Sequence, residues 1–372
     1  MELNYPNKKT QTEIVGSTKA AEFTTLPKAD IPNKLIFGNN LAVMKNLLQT
    51  HANKIDLVYI DPPYSTNSVF KIGSDRANSI SSSHDDSIAY EDTLIGPEFF
   101  EFLRQRLIFI KDLLSPAGSI YLHIDYKVGH YVKVLMDEIF GAKMFRNDIA
   151  RIKCNPKNFS RRAYGNVKDL ILFYSKTDEF IWNDIKVPFS EEEQNKLFKK
   201  TDVGMRRYTT IPLHAPGETK DGETGSQWRG VSPPRGRHWR TSPKILEAWD
   251  AEGLIEWSKN GVPRKKIFLA DRQGKKLQDI WEFKDPQHPK YPTEKNLEML
   301  KMIVQMSSEP TSTVLDCFCG SGTTLVAAEV CGRNWIGIDQ SSHAIRVVQQ
   351  RMKEFEGTLF STAQFELLET SI

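Results

Sequence analysis

Apolar positions recur along this chain with two periods, one typical of strands and one typical of helices. Residues 34–37 and 55–60 are short apolar runs that predict buried strands, whereas the apolar positions within 41–48 recur at helical spacing. The same patterns predict helices over 97–114, 128–140, 296–306, 325–330 and up to residue 351, and strands over 119–124, 171–174, 313–316 and 335–339. Strands that alternate with helices in this way predict an α/β fold with parallel strands and crossover helices.

Several segments interrupt this alternation and define the predicted domain organisation. Residues 1–33 are polar without a sustained period, which predicts an N-terminal arm. Residues 65–95 contain a run of three serines and almost no apolar periodicity, which predicts a loop that works as a lid or a binding loop. Residues 183–285 are punctuated by proline and glycine, which predicts an inserted region. The remaining parts are two halves of one domain, residues 34–182 and 286–358, and a C-terminal tail, residues 359–372.

The composition is that of a soluble globular protein. Charged residues make up 26% of the 372 positions and hydrophobic residues 39%, which excludes wholesale disorder. No apolar stretch approaches the roughly 18 residues of a membrane-spanning helix, and the polar first residues do not resemble a signal peptide. The four cysteines match neither a disulfide framework nor a zinc pair, which predicts reduced thiols. We therefore expect a cytoplasmic protein without a membrane partner.

The net charge of +3 conceals an uneven distribution. Residues 151–290 hold 28 Lys and Arg against 19 Asp and Glu, a net charge of +9, and the rest of the chain has a net charge of −6. Six of the seven tryptophans also lie in this basic segment. Basic side chains interleaved with rings can hold phosphates and stack on bases, so the segment predicts contact with nucleic acid. A solvated Lys-rich surface over tryptophans in a core is the alternative.

A strand, a glycine turn and a helix follow one another over residues 313–330. Gly320 and Gly322 let a ligand approach the backbone, and the helix start offers free N–H groups. Asp339 ends the next strand, where a carboxylate can accept hydrogen bonds from both ribose hydroxyls of a nucleoside. No Gly-Lys-Ser/Thr follows, and Leu325 interrupts a full GxGxxG, which argues against a phosphate loop and against a dinucleotide. S-adenosylmethionine, a nucleoside cofactor without a pyrophosphate, fits these residues better.

The strand 55–60 ends in Asp61-Pro62-Pro63-Tyr64, the segment with the clearest chemistry. An aryl exocyclic amine is a poor nucleophile, and acceptors on its N–H groups favour the pyramidal nitrogen that attacks a methyl donor. The Asp61 carboxylate and the Pro62 carbonyl can be those acceptors, the two prolines fix the direction of that carbonyl, and Tyr64 offers a face for a flipped base. Methylation at cytosine C5 needs a cysteine nucleophile, typically after proline, and the chain has no Pro-Cys pair. A strand-ending turn with a capping aspartate is the structural alternative.

DPPY followed by FxGxG resembles the amino-methylating DNA methyltransferases of the β arrangement, in which the catalytic motif precedes the recognition region and the cofactor motif comes last. The resemblance spans about residues 34–355: residues 36–48 and 58–66 look like the third and fourth motifs of that family, and residues 292–339 look like its tenth, first and second motifs. Residues 99–141 are also similar to the modification subunits of type III restriction systems, which are usually longer. The implied fold is a Rossmann-like S-adenosylmethionine-dependent methyltransferase sheet with a permuted motif order and an inserted target recognition region.

The resemblance also implies residue roles. The target base would be handled by Asp61, Pro62, Pro63 and Tyr64. The cofactor would be bound by Asn39, Asp61, Lys295, Asp316, Phe318, Gly320, Gly322, Thr323 and Asp339, with the 316–323 turn around its methionine part and Asp339 on its ribose. Asn39 stands where many relatives have Asp, which would alter the contact with adenine. Cys317 replaces the usual Pro, and Glu294 and Asn296 flank Lys295 where Gln and Pro are usual.

The basic middle segment then becomes the target recognition region. Its densest Arg and aromatic clusters predict DNA contacts by Arg229, Arg235, Arg237 and Arg240, because Arg can bind both phosphates and guanine edges. The alternative is that these arginines hold only phosphates and that the tryptophans form a core. His214 and His238 lack an acid or thiol at ligand spacing, so no metal site is assigned.

The sequence therefore predicts a site-specific adenine-N6 methyltransferase that acts on double-stranded DNA with base flipping. Asp before Pro-Pro-Tyr favours adenine by resemblance. The alternatives are cytosine N4 as the target, methylation of RNA or of a protein amide, and a DNA-binding specificity protein without catalysis. A cognate restriction endonuclease and a second copy of the chain are the further partners to consider.

Overall fold

The structure is a computed structural model. It describes residues 2–28, 30–63, 68–72, 77–78, 87–92, 94–156, 162–219, 221–272, 274–286, 294–354 and 364–371. The chain divides into two compact units. The main unit comprises Met1–Asp184 and Gln278–Ile372, and the inserted unit comprises Ile185–Leu277.

The described residues form the following helices and strands. The helices are α1 (Gln11–Ser17), α2 (Asn40–His51), α3 (Pro97–Leu113), α4 (Gly129–Phe140), α5 (Glu191–Leu197), α6 (Pro243–Ala251), α7 (Leu297–Met306), α8 (Thr323–Val330) and α9 (Ser342–Lys353). The strands are β1 (Lys34–Phe37), β2 (Ile55–Ile60), β3 (Ser68–Ile72), β4 (Ala77–Asn78), β5 (Ser87–Asp92), β6 (Leu114–Ile124), β7 (Phe145–Ile152), β8 (Lys168–Ser175), β9 (Lys186–Val187), β10 (Lys200–Thr201), β11 (Arg207–Pro212), β12 (His214–Pro216), β13 (Arg237–Trp239), β14 (Ile255–Trp257), β15 (Pro263–Phe268), β16 (Lys275–Lys276), β17 (Ile280–Trp281), β18 (Thr313–Asp316), β19 (Asn334–Asp339) and β20 (Glu366–Glu369). No helix in this part of the chain is long and apolar enough to cross a membrane.

One sheet organises the main unit. Its strand order is β17-β7-β8-β6-β2-β18-β19-β1-β20. Neighbouring strands are parallel except around β8, which runs antiparallel to β6 and to β7. The predicted parallel sheet is therefore confirmed for most pairs and wrong for β8. The residues of β2 from Leu57 to Ile60 are buried, as expected for a central strand covered on both faces.

The connections leave the centre of this sheet in opposite directions. Helix α3 leads from β2 to its neighbour β6, whereas α8 leads from β18 to β19 on the other side. The boundary between β2 and β18 is therefore a topological switch point, where the carboxyl ends of adjacent parallel strands open a crevice for ligands.

The predicted arm and tail contain ordered elements of the main unit. Helix α1 begins with a capping box in which Glu13 N–H donates to Thr10 Oγ1 and Thr10 N–H donates to Glu13 Oε2. Ile14 on this helix is 1% exposed and belongs to the core. Strand β20 pairs in parallel with β1 at the edge of the sheet. The structure therefore adds a helix to the segment predicted as an arm and a strand to the segment predicted as a tail. The sequence shows neither element clearly, because a capping box involves only two residues and a four-residue strand has little periodicity.

The loop predicted over residues 65–95 was also wrong where the backbone is described. Strands β3, β4 and β5 form a small antiparallel sheet in the order β4-β3-β5. Strands of two to six residues contain few alternations, so their period is hard to detect in the sequence.

The inserted unit consists of short antiparallel elements. Strands β10-β11-β15-β14 form one sheet, and β12-β13 and β9-β16 form two smaller ones. Its core contains Leu213, Trp228, Trp239, Leu246 and Ile255. Residues 278–285, which the sequence assigned to the insertion, lie in the main unit, because β17 pairs in parallel with β7.

Candidate active site

Two of the predicted motifs lie side by side at the switch point. Strand β18 pairs with β2 in a register that places Val314 opposite Leu57 and Leu315 opposite Val58. Asp61 follows the end of β2, and the glycine turn follows the end of β18. The pairing thus places both motifs at the same edge of the sheet. A methyl donor and a methyl acceptor bound at this edge would be neighbours.

The glycine turn after β18 has a backbone that glycine adopts without strain. Gly320 has φ +46° and Gly322 has φ +72°, both in the left-handed region. The N–H of Gly320 donates to Asp339 Oδ2 and the N–H of Ser341 donates to Asp339 Oδ1, each at 2.8 Å. Asp339 therefore connects the end of β19 to the glycine turn.

Burial raises the pKa of both acids near the glycine turn, Asp316 and Asp339. Burial raises the pKa of Asp316 to about 7, and the charges of Asp61 and Asp339 add to the effect. Burial also raises the pKa of Asp339, against the hydrogen bonds of three backbone N–H groups, those of Ser341, Gly320 and Gln340. The ionised form of Asp316 is stabilised by a hydroxyl, that of Thr324, and by a backbone N–H, that of Phe318. A positively charged ligand group beside this carboxylate would stabilise it further. S-adenosylmethionine carries an ammonium and a sulfonium, so these acids suit it.

Lys295 pairs with Asp61, the acid of the DPP turn. Its Nζ donates to Asp61 Oδ2, although the sequence predicted a contact with the cofactor. The neighbouring Glu294 pairs with Arg351 of α9 at 3.1 Å. Arg351 in turn donates to the carbonyl of Ser321 at 2.9 Å and to Thr323 Oγ1 at 3.0 Å. The segment before α7 thus connects Asp61 with the glycine turn.

The other site residues that the sequence predicted in the main unit have different surroundings. Asn39 caps α2 by accepting from Leu41 N–H at 3.0 Å, which engages its side-chain oxygen. The Phe318 ring packs against Phe102, with the ring centres 6.1 Å apart. Pro62 is buried and Pro63 half-buried beside Asp61. Tyr64 lies outside the described residues, so its role as a stacking face stays a prediction.

The four predicted DNA-contacting arginines fall into two groups. The guanidinium of Arg229 is held by Glu247 and Asp250, with Nη2 to Glu247 Oε1 at 2.5 Å. Arg235, Arg237 and Arg240 are exposed, and among the described residues none of the three forms an ion pair with an acid. Trp228 and Trp239 are 4% and 1% exposed and belong to the core, as the structural alternative held.

Sequence reasoning missed a group of buried polar residues next to Asp61. His123, Tyr59 and Asp169 lie on β6, β2 and β8, and the sequence analysis assigned a role to none of them. A polar residue near the carboxyl end of an otherwise apolar strand was the available indication, since buried polar groups require partners. His123 in the run Ser119–Ile124 has that pattern.

Known proteins resemble this chain over most of its length. Residues 55–350 match the family described as DNA methylase. The type II methyltransferase M.EcaI of Enterobacter cloacae is 40% identical over 366 residues, which cover 94% of this chain and 77% of that protein. The type II methyltransferase M.KpnI of Klebsiella pneumoniae is 27% identical, covering 82% and 78%. The Mod subunit of the type III enzyme StyLTI of Salmonella typhimurium is 24% identical, and the match covers 78% of this chain and 49% of that subunit.

A crevice with a DPP turn beside a glycine turn, in a chain with these relatives, defines a DNA methyltransferase. The chain belongs to the DNA methylase family whose members methylate the N6 amine of adenine or the N4 amine of cytosine, and it is a restriction-modification methyltransferase. The predictions of a Rossmann-like methyltransferase fold and of S-adenosylmethionine as the methyl donor are confirmed.

Proposed function

We propose that this chain methylates the N6 amine of adenine at a specific sequence in double-stranded DNA, with the target base flipped out of the duplex. The observation that carries the proposal is the adjacency of Asp61 and the glycine turn at the switch point. Asp before Pro-Pro-Tyr favours adenine by resemblance to the family. Cytosine N4 is the second candidate, because the family contains both activities.

Residues after β18 and β19 would hold the cofactor. When bound, S-adenosylmethionine supplies an electrophilic methyl group on a sulfonium. Asp316 would balance the positive charge of the methionine part, and Asp339 would accept from the ribose hydroxyls. Gly320 and Gly322 keep side chains off the turn, Phe318 and Thr323 complete it, and Asn39 would meet the adenine.

Asp61 would activate the target amine by accepting a hydrogen bond. Lys295 donates to Oδ2 of this carboxylate, and we assign the Asp61 carboxylate to one amine N–H and the Pro62 carbonyl to the second. Two acceptors pull the hydrogens out of the plane of the base and turn the nitrogen lone pair toward the methyl group. The nitrogen must lose a proton after the transfer, and Asp61 is placed to take it.

The inserted unit would read the DNA sequence, and its charge distribution supports this role. Arg237 Nη1 lies 3.2 Å from His214 Nδ1, Arg240 Nε donates to the Pro212 carbonyl at 3.2 Å, and Arg264 Nε donates to Thr210 Oγ1 at 2.9 Å. Burial lowers the pKa of His214, and the charges of these three arginines add to the effect. Three guanidinium groups lie near one histidine, and the hydrogen-bond partners described here for them are uncharged acceptors. Such a group of positive charges would attract DNA phosphates.

One experiment tests the base and the sequence together. The protein is expressed in a host that lacks DNA methylation, and the genome is sequenced by a method that distinguishes N6-methyladenine from N4-methylcytosine. We expect N6-methyladenine at one short motif. N4-methylcytosine at one motif would overturn the adenine assignment, and an unmodified genome despite soluble protein would overturn the proposed activity.

The remaining predictions concern the binding partners of the protein and its location in the cell. Relatives are named as restriction-modification enzymes, which supports pairing with a cognate restriction endonuclease. A second copy of the chain and a cytoplasmic location stay predictions. Sedimentation of the purified protein with and without a target duplex distinguishes a monomer from a dimer.

A further inference from the structure

A buried arginine on α3 is connected to the start of the glycine turn. Arg106 is 6% exposed, and in the part of the chain that the structure describes no acid pairs with it. Burial lowers the pKa of Arg106 to about 10, so its guanidinium is still charged at neutral pH. A buried charge is costly unless its N–H groups have partners, so the partners of Arg106 indicate what this residue does.

Asn40, the first residue of α2, links Arg106 to the turn. Arg106 Nε donates to Asn40 Oδ1 at 2.7 Å, and Asn40 Nδ2 donates to the Cys317 carbonyl at 2.7 Å. A guanidinium has no acceptor, so it binds the oxygen of the amide and not its NH₂ group. Arg106 therefore directs the NH₂ group of Asn40 toward Cys317. Without this cation the amide would be free to rotate and to place its oxygen against the carbonyl oxygen.

The Cys317 carbonyl belongs to the peptide unit whose N–H binds Asp316. The C=O and the N–H of a trans peptide point in opposite directions, and the N–H of Phe318 donates to Asp316 Oδ1 at 3.0 Å. Asn40 thus binds one side of this peptide unit and the Asp316 carboxylate binds the other side. The orientation of the peptide unit therefore decides whether the carboxylate receives this hydrogen bond.

Arg106 reaches the same part of the turn by a second route. The carbon of its guanidinium lies 3.4 Å from the centre of the Phe102 ring, and Arg106 Nη1 donates to the Phe102 carbonyl at 2.9 Å. The Phe102 ring in turn packs against the Phe318 ring, with the ring centres 6.1 Å apart. One route through hydrogen bonds and one route through rings therefore connect Arg106 to Cys317 and Phe318.

We propose that Arg106 and Asn40 are positioning residues for cofactor binding, which act by fixing the peptide unit between Cys317 and Phe318. Neither residue has to touch the cofactor. They hold the start of the turn in the orientation that presents the Asp316 carboxylate and the Phe318 ring to the methionine part of S-adenosylmethionine. The inference rests on the proposed role of the 316–323 turn as the cofactor site.

The test measures the affinity of the purified chain for S-adenosylmethionine by calorimetry. Asn40→Asp has the shape of the wild type, keeps an acceptor for Arg106 and removes the donor to Cys317. Arg106→Met removes the donor that orients the amide. We expect each variant to raise the Kd at least about tenfold, the loss that corresponds to one hydrogen bond to a charged group. The double variant should bind little more weakly than either single variant, because both substitutions interrupt the same path.

Arg104→Met is the matched control. Arg104 lies on the same helix and is also 6% exposed, but its guanidinium binds Glu138 at 3.2 Å and the Lys9 carbonyl at 2.6 Å. This variant should be less stable in urea unfolding and should keep the wild-type Kd for the cofactor. If Arg104→Met weakens cofactor binding as much as Arg106→Met does, the effect comes from the loss of a buried arginine in general, and the inference is overturned.

The pH profile of cofactor binding distinguishes positioning from a loss of stability. The Phe318 N–H favours the ionised form of Asp316, so a reoriented peptide unit would raise the pKa of that carboxyl further. Asn40→Leu introduces no charge, and in this variant the pH below which cofactor affinity declines should move upward. A wild-type Kd and pH profile in both Asn40 variants would overturn the inference. Wild-type cofactor affinity in Asp316→Asn would instead overturn the proposed cofactor site.

Discussion

The two acids at the switch point differ in what stabilises their charge. Asp61 has the Lys295 ammonium on Oδ2, whereas the ionised form of Asp316 is stabilised by the Thr324 hydroxyl and the Phe318 N–H. Because their environments differ, we expect substitutions of the two acids to affect different steps of the reaction.

Asp61→Ala should abolish methyl transfer, because the target amine loses its charged acceptor. DNA affinity should change much less, since the residues proposed to bind DNA lie in the inserted unit. Methylation of plasmid DNA and a mobility-shift assay measure the two effects separately. Asp178→Ala, an exposed acid of the main unit, is the control and should keep wild-type activity. Near-normal methylation by Asp61→Ala would show that Asp61 is not the acceptor.

Cofactor affinity should depend on pH through Asp316. Its pKa of about 7 means that the carboxyl is largely protonated at pH 6 and ionised at pH 8. A cationic methionine part prefers the ionised form, so affinity should fall as pH drops below 7, by at most about tenfold per pH unit. Calorimetry from pH 6 to 8.5 measures this slope. Asp316→Asn should bind weakly with a flatter profile, and an unchanged slope in that variant would remove Asp316 from the cofactor site.

The same shift predicts how stability changes with pH. The folded state holds the Asp316 proton up to about pH 7, whereas the unfolded chain releases it near the ordinary Asp value. The folded state therefore binds more protons across this interval, and this group's contribution to the free energy of unfolding falls as pH rises toward 7. Urea unfolding of wild type and Asp316→Asn from pH 4.5 to 7.5 measures it: the difference between them should vary across that range, and a constant difference would contradict the raised pKa.

At the scale of an element, the start of helix α8 depends on a glycine. Gly322 has φ +72°, and a Cβ at this position would lie 2.7 Å from Val348 Cγ2 on α9. Gly332, after the same helix, has φ +69° with no atom within 4 Å of a built Cβ. A side chain at either position would be strained by the left-handed backbone. Only at Gly322 would the side chain also collide with a neighbouring residue.

Gly332→Ala should therefore destabilise the protein by about 1–2 kcal/mol through the left-handed backbone alone. Gly322→Ala should cost about 1–3 kcal/mol more, because the new methyl group overpacks against Val348. Urea unfolding of both variants measures the difference, and Gly322→Ala/Val348→Ala should remove part of it. If the two single variants lose the same free energy of unfolding, helix α9 moves away from the new methyl group without an energetic cost.

At the scale of the whole molecule, catalysis and sequence reading are assigned to separate units. Arg237→Ala and Arg240→Ala should each weaken DNA binding. Loss of a phosphate contact should lower the salt slope of DNA binding by about one. Loss of a guanine contact should cost about 1–3 kcal/mol of binding free energy and relax the preference at one position of the motif. Arg206→Ala is the matched control, because that guanidinium pairs with Asp202 at 2.7 Å. Wild-type affinity and motif in both test variants would assign recognition elsewhere.

Arg229→Ala should give a different result from these two. Its guanidinium holds Glu247 and Asp250, so the variant should lower the melting temperature of the protein. The salt dependence of DNA binding by the remaining folded protein should stay unchanged. A reduced salt slope would return Arg229 to the group of DNA contacts that the sequence analysis predicted.

The central elements and both motifs were predictable because their determinants are local. Strand β2 ends at Asp61 since two prolines follow it, and the turn after β18 is marked by Gly320 and Gly322. An alternation of strands and helices implies parallel neighbours, which brings strand ends to one edge. Even the charged insertion between the motifs is visible as a change of composition.

The contacts of each side chain depended on the order of the strands in the sheet. The periodicity of apolar residues along the sequence does not specify that order. Lys295 reaches Asp61 across 234 residues of sequence, and His123 reaches Asp169 only because antiparallel β8 inserts beside β6. The acids that hold Arg229 and the burial of Trp239 likewise arise from packing within the inserted unit. Sequence alone thus determined which chemical groups stand at the ends of which strands. The tertiary structure decided which of those groups meet, because meeting depends on the strand order that brings distant segments together.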